Sequence, residues 1–137
     1  MRLILLSFIL LCLFSSCKKE NSHSFLNILG SWQWTYSSSM DGDTVRPSSG
    51  AVVTLVLNIN SSYSLSLNNT EVSSGNFSTL TEEGISFVRF SDYLIADRLF
   101  VSPNNAYFIK DGSLMLYFPV VPAVVGVITD TRFTKVR

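Results

Sequence analysis

From Leu29 to the end of the chain, apolar and polar residues alternate in short runs. The first run, residues 32–37, alternates three aromatic residues with three polar ones. A period of two is typical of a β-strand with one buried face. Similar runs predict the remaining strands, at 52–59, 62–67, 72–78, 85–90, 106–110, 113–118 and 131–136.

Turn residues separate these runs. Asp111-Gly112, between two apolar runs, is the strongest hairpin signal, and Asn68-Asn69 marks another turn. The pattern indicates no long helix. Residues 91–101 remain open, because Ser91 is a suitable N-cap for a short helix, whereas residues 98–101 fit a further strand.

About eight short strands with short connections predict a single all-β domain, either a barrel or a sandwich. Sequential hairpins favour an up-and-down antiparallel β-barrel. Closing the barrel removes exposed strand edges, which otherwise invite aggregation. At this strand number the interior either is filled by side chains or holds one small ligand.

The N-terminus has a different pattern. Met1-Arg2 is followed by an apolar run, residues 3–14, which is too short for a membrane-spanning helix of about 20 residues. Small residues then precede Cys17, after which the chain becomes polar. A positive start, an apolar middle and a small-residue exit are typical of a secretory signal peptide.

Residues 14–17, FSSC, resemble the lipobox of bacterial lipoproteins, with Phe14 where leucine is usual. The resemblance implies cleavage before Cys17 and acyl chains such as palmitate attached to it, which would hold the protein on the bacterial outer membrane. An ordinary signal peptide is the alternative. The expected organisation is a lipoprotein signal peptide at 1–16, a lipidated tether at 17–28 and a barrel domain at 29–137.

Composition argues against several classes of function. Of ten basic residues, Arg2 leaves with the signal, so nine face ten acidic residues. This balance gives no footprint for nucleic acid. The single histidine, His23, lies in the expected tether, and no cysteine follows Cys17. We therefore expect that the protein is not an enzyme and that it has no cofactor and no metal site.

Gly30-Ser31-Trp32, at the start of the first strand, resembles the G-x-W opening of lipocalins and of lipocalin-like lipoproteins of Bacteroidetes-type bacteria. Residues 75–77, GNF, are similar to the G-x-[YF] of their fourth strand. The resemblance implies a lipocalin-like barrel that Gly30, Trp32 and a basic residue close at one end. Arg132 is the expected basic partner of Trp32, and Arg137 is the alternative.

Two further features bear on ligand binding. Arg89 shares a strand face with Ile85 and Phe87, so it would meet an anionic ligand if that face lined the barrel; the alternative is a side chain that extends to water.

Residues 118–128 are apolar but contain two prolines, which argue against a central strand. We expect this segment to cover one barrel end, as a buried crossover or a lid, and an exposed patch is the alternative. The candidate ligand contacts in it are Val121, Val124 and Val125.

These features lead to two hypotheses of function. The first is a lipid-anchored envelope lipoprotein that binds a small apolar ligand. The second is a structural or interaction lipoprotein with a filled barrel, working in an envelope complex with a protein partner that the sequence does not identify. A pocket of roughly several hundred Å³ would favour the first, and an interior filled with aromatic side chains would favour the second.

Overall fold

The computed structural model describes residues 22–118 and 128–137. The predicted signal peptide and Cys17 lie outside these ranges, as do Val121, Val124 and Val125. In the described ranges a short helix, α1 (Ser22–Ile28), precedes eleven strands. These are β1 (Gly30–Ser39), β2 (Thr44–Val45), β3 (Val53–Leu57), β4 (Ser62–Leu67), β5 (Thr70–Glu82), β6 (Ile85–Phe90), β7 (Leu94–Ala96), β8 (Leu99–Val101), β9 (Asn104–Lys110), β10 (Ser113–Tyr117) and β11 (Ile128–Lys135).

Eight of these strands form a closed antiparallel barrel. Their order around the barrel is β1, β3, β4, β5, β6, β9, β10 and β11, and β11 pairs with β1. Each barrel strand is thus paired with its predecessor in the barrel. The predicted all-β, up-and-down architecture is confirmed. Outside this ring, β2 extends the edge of β1, while β7 and β8 form a separate two-stranded sheet.

The barrel has two distinct ends. Because β1 begins at Gly30 and the strands alternate in direction, the β3–β4, β5–β6 and β9–β10 turns share one end with α1 and with residues 136–137. We call this the lower end. The upper end carries the 40–52 connection, the Asn68-Asn69 turn and the connection from β6 to β9, which contains the β7–β8 hairpin.

Strand alternation directs the apolar face inward, as the sequence pattern predicts. The exception is the end of the first predicted run, where a register shift between Trp34 and Tyr36 turns Tyr36 outward and Ser37 inward. The fully buried side chains include both tryptophans of β1 and come from five of the barrel strands, from α1 and from the hairpin. They are Ile28, Trp32, Trp34, Leu55, Leu57, Tyr63, Leu65, Leu94, Leu99, Leu114, Leu116 and Phe133. All belong to one continuous cluster. Burial of this kind stabilises a fold by about 1.5–3 kcal/mol for each large apolar side chain.

Strand β5 is longer than its neighbours and is shared between them. Its first half pairs with β4, and its second half, from Phe77, pairs with β6. Strand β6 ends at Phe90, directly opposite Phe77. Beyond this level the β7–β8 hairpin packs beside β4 and β5. The hairpin therefore completes the apolar core where β6 has ended.

Residues 91–101, for which the sequence left helix and strand as alternatives, contain two strands. Leu94, Ala96, Leu99 and Val101 are buried, and the turn between the two strands has Asp97 at a φ of 52°. Ser91 does not begin a helix; its backbone N–H donates to the Asn76 carbonyl at 2.8 Å. The predicted strand at 98–101 is thus half of a hairpin.

The end of the expected tether differs from the prediction. Residues 22–28 form α1, whose Ile28 is fully buried and whose Phe25 ring stacks on Phe77, with centroids 5.8 Å apart. These apolar residues therefore belong to the barrel rather than to a solvated tether. In the described ranges we find no helix of sufficient length and hydrophobicity to span a bilayer.

Candidate functional site

Trp32 lies inside the lower end of the barrel, which α1 covers. Its side chain is fully buried, and its Nε1 donates to the Ile28 carbonyl at 2.7 Å. This bond ties the end of the helix to the first strand. The indole is thereby satisfied in an apolar setting, where an unpaired N–H would be costly.

The basic residue over Trp32 is Lys135 rather than the predicted Arg132. The Lys135 Nζ lies 5.1 Å from the ring centroid and donates to the Leu29 carbonyl at 3.4 Å. The reason is register, because Trp32 pairs with Lys135 across the β1–β11 ladder. Gly30 contributes space: with φ at +123°, a Cβ there would lie 3.3 Å from the Lys135 Cε.

Arg132 lies on the outer surface, where it pairs in register with Tyr36. Its Nη2 donates to the Ser113 Oγ at 3.1 Å and its Nη1 to the Tyr36 hydroxyl at 3.5 Å. The bond to Tyr36 raises the pKa of the guanidinium, so Arg132 stays charged at every physiological pH. On the other side, the Arg46 guanidinium lies 5.5 Å from the Tyr36 ring centroid. Arg132 thus contacts two hydroxyls and Arg46 one ring, and the charge of Asp111 also favours the charged form of Arg132.

Aromatic and sulfur-containing side chains extend this surface across β10 and β9. Met115 pairs with Arg132 on one side and with Phe108 on the other, and Tyr117 lies two residues further along β10. Phe108 is 52% exposed and Tyr117 39%. We call this surface the arginine–aromatic face; it consists of Tyr36, Arg46, Phe108, Met115, Tyr117 and Arg132.

Arg89 points away from the barrel interior. Its neighbours Val88 and Phe90 are buried, whereas Arg89 is exposed and Ile85, on the same face, is 53% exposed. The face of β6 that carries Ile85 and Arg89 is thus the outer one, and the opposite face, with Val88 and Phe90, lines the core. The structure removes Arg89 from the candidates for contact with an interior ligand.

Most polar groups inside the barrel have partners. The Trp34 Nε1 donates to the Ser37 Oγ at 3.1 Å, and Ser37 shares a bond of 3.0 Å with the Thr131 hydroxyl. The exception in the described ranges is the Tyr63 hydroxyl, which is buried and has no partner. An unpaired buried group of this type costs about 1–3 kcal/mol. Such a group calls for a physical explanation.

The β7–β8 hairpin is fastened to the upper end by one aspartate. The Ser48 backbone N–H donates to one Asp97 carboxylate oxygen and the Ser48 hydroxyl to the other, each at 2.8 Å. These two bonds hold the pKa of Asp97 below the usual range of an aspartate. Outside, Ile95 and Phe100 face solvent beside Tyr93, whose ring centroid lies 5.3 Å from that of Phe100.

A groove of about 440 Å³ lies at the lower end, outside the barrel. It is lined by the Asp111-Gly112 turn and by residues 134–137. Its charged side chains are of both signs. The described part of the chain contains no cluster of three or more His, Cys, Asp or Glu side chains suited to a metal ion.

Sequence reasoning did not find the arginine–aromatic face, the unpaired Tyr63 hydroxyl or the contact between Ser48 and Asp97. Tyr63 lies in the inward phase of its alternating run, so the pattern alone marks its hydroxyl as one that needs a partner inside the core. Asp97 and Ser48 are 49 residues apart, and no local pattern pairs them.

Comparison of the chain with protein-family models, with curated proteins and with solved structures finds no match in any of the three.

Proposed function

We propose that this chain is a lipid-anchored lipoprotein of the bacterial outer membrane whose lipocalin-like barrel serves as a non-enzymatic interaction module. The FSSC stretch supports the anchor at Cys17. Four residues lie between Cys17 and Ser22, so the five Cα–Cα steps of this segment reach at most about 18 Å. An anchored barrel would therefore keep its lower end close to the bilayer.

The packed interior is the observation that carries this proposal. Trp32, Trp34 and Phe133 are among the fully buried side chains, and the described core is one continuous cluster. A barrel of eight strands filled in this way is a rigid support for its outer surface. That arrangement favours recognition by the outer surface over recognition by a preformed interior pocket.

The arginine–aromatic face is the best candidate for the recognising surface. Tyrosine, phenylalanine, methionine and arginine are the residue types enriched in protein interfaces. Because Arg132 contacts two hydroxyls and Arg46 lies over a ring, a partner protein that presents acidic side chains would complement this face.

Photo-crosslinking in the envelope tests this proposal. A benzophenone amino acid at Tyr117 should give a discrete protein adduct, and Arg46→Glu should diminish it by reversing one charge of the face. Ser64 is the matched control, because it lies on the outer surface of β4, on the opposite side of the barrel. Absence of an adduct at Tyr117, or equal adducts at both positions, would contradict an interaction role for this face.

A second candidate function is the binding of a small apolar ligand. The observations that favour it are the separate β7–β8 sheet and the unpaired Tyr63 hydroxyl. Native mass spectrometry of the delipidated protein, purified from its host, distinguishes the two. A bound small molecule would support ligand binding, and a ligand-free mass would support the filled barrel.

A further inference from the structure

We infer that the barrel interior becomes a binding site when the β7–β8 hairpin withdraws, and that the site takes a single-chain amphiphile whose polar oxygen bonds to the Tyr63 hydroxyl. The inference rests on the second candidate function and narrows it to a route of entry, an anchoring group and a class of ligand.

Few hydrogen bonds join the hairpin to the eight-stranded ring. It forms a two-stranded sheet of its own, and in the part of the chain that the structure describes no backbone ladder joins it to the eight-stranded ring. Its polar attachment at the turn is a single side chain, Asp97, which accepts both bonds from Ser48. Opening of the hairpin therefore breaks few hydrogen bonds, and its cost is mainly the exposure of its buried apolar face.

The inner face of the hairpin occupies part of the core. Leu94, Ala96, Leu99 and Val101 are buried within the same cluster as the tryptophans of β1. Withdrawal of these four side chains would leave an apolar space beside β4 and β5. An alkyl chain in this space is apolar like the four side chains that it replaces, so it would again cover the apolar surface that the hairpin had exposed.

Tyr63 supplies the polar end of this space. Its ring is buried on β4, packs edge-on against Phe90 with centroids 5.4 Å apart, and lies directly over Gly75. The Ser91 hydroxyl, at the base of the hairpin, approaches the same point above Gly75. The unpaired hydroxyl therefore belongs to the region that the hairpin covers.

These features define the ligand chemically. The space is apolar, so the ligand carries an alkyl or similar tail. The hydroxyl has no partner in the described ranges, so a ligand carboxylate, hydroxyl or carbonyl oxygen would give it one. A fatty acid or a fatty alcohol meets both requirements.

The chain from Lys18 onward is a suitable reagent, because it contains every described element of the closed barrel and no native cysteine. The probe is 11-(dansylamino)undecanoic acid, whose fluorescence rises in an apolar site. The inference expects saturable binding of one probe per chain, which decanoic acid should displace. Absence of saturable binding would overturn it.

A disulfide between positions 48 and 97 tests the hairpin. Oxidised Ser48→Cys/Asp97→Cys protein should bind the probe at least tenfold more weakly than the same protein after reduction. Asp97→Gly removes both bonds without backbone strain and should tighten binding several-fold. Asp111→Gly is the matched control, an aspartate at a φ of 51° in the turn at the other end of the barrel, and should leave binding unchanged. Equal affinity of the oxidised and reduced forms would exclude the hairpin as the route.

Tyr63→Phe tests the anchoring group. Probe affinity should fall about five- to tenfold, while the melting temperature of the ligand-free protein stays level or rises, because the unpaired hydroxyl is gone. Tyr36→Phe, on the outer surface, should leave affinity unchanged. A lower melting temperature with unchanged affinity would mean that the hydroxyl holds a structural water, and would overturn the assignment. None of these outcomes affects the crosslinking test of the arginine–aromatic face.

Discussion

Two polar contacts fix the position of Trp32 at the lower end of the barrel. The Ile28 carbonyl accepts its indole N–H, and the Lys135 ammonium lies over its ring. The G-x-W resemblance located the tryptophan but not its cation. The difference arises because Arg132 lies between two buried residues, Thr131 and Phe133, and is therefore on the outer face of β11. Lys135 has the inward phase of Phe133 and pairs with Trp32.

Trp32→Ala should destabilise the protein by about 3–5 kcal/mol, because it removes a fully buried aromatic side chain and leaves a cavity. Urea unfolding measures the loss. A double-mutant cycle with Lys135→Ala should show a coupling of about 0.5–1 kcal/mol, the range for an exposed cation on a ring. The same cycle with Arg132→Ala should show none. Coupling to Arg132 instead of Lys135 would contradict the observed register.

Gly75 is a second residue with a specific steric requirement. A Cβ at this position would lie 2.9 Å from the Tyr63 Cε1 and would also collide with the Ser91 hydroxyl. Gly75→Ala should therefore cost about 1–3 kcal/mol through overpacking. Ser74→Ala, an exposed neighbour on the same strand, should change stability by less than about 0.5 kcal/mol. Equal effects of the two substitutions in thermal unfolding would show that Tyr63 moves aside freely.

At the scale of elements, the sequence pattern predicts the hairpins of the barrel, but it does not predict α1 and the β7–β8 hairpin, which cover the two ends. Alternation predicted the strands around Leu55, Leu65 and Leu114 because each has one buried face in a regular ladder. Strands β7 and β8 have three residues each, too few for a periodic signal. The seven residues of α1 complete about two turns, and tertiary packing of Phe25 and Ile28 compensates for its short length.

The attachment of the β7–β8 hairpin should depend on pH. Bonds from Ser48, with a smaller contribution from the Arg98 charge, lower the pKa of Asp97 in the folded protein. A carboxylate with a lowered pKa contributes stability above its unfolded pKa and loses that contribution as the pH falls through the folded one. The attachment should thus be intact at neutral pH and weaken below about pH 4, near the ordinary aspartate value.

Hydrogen exchange measures this dependence. After correction for the intrinsic rate, protection of residues 94–101 should fall between pH 6 and pH 3.5, while that of β3 and β4 stays constant. In Asp97→Gly protein the hairpin should be weakly protected at both values. A parallel loss of protection in all three elements would indicate general acid unfolding instead.

At the scale of the whole molecule, the proposed anchor fixes an orientation. The helix α1 leads into the lower end, so an anchored barrel presents the 40–52 connection and the β7–β8 hairpin away from the bilayer. This follows from the short distance between Cys17 and Ser22 and from the direction of β1. The FSSC stretch and the polar residues after it are the basis of the proposed anchor, whereas the orientation follows only from the topology.

Two measurements check anchor and orientation. Cys17→Ser should prevent lipidation, and a chain beginning at Lys18 should remain in the aqueous phase of a detergent partition. In vesicles that carry the lipidated protein, a fluorescent label at residue 49 should be quenched less by spin-labelled lipid than one at residue 111. Partition of the Lys18 chain into detergent would implicate another membrane contact, and equal quenching would contradict the orientation.

The pairing of β1 with β11 also governs the order in which the chain acquires its structure. Ser37 and Thr131, which share a hydrogen bond in that ladder, are 94 residues apart. A chain exported as proposed would expose the β1 segment first and its β11 partner only some 94 residues later. Contacts of such high sequence separation fold slowly. Until β11 arrives, β1 and β10 would each present an open edge, so the proposed export would require protection from aggregation for nearly its whole duration.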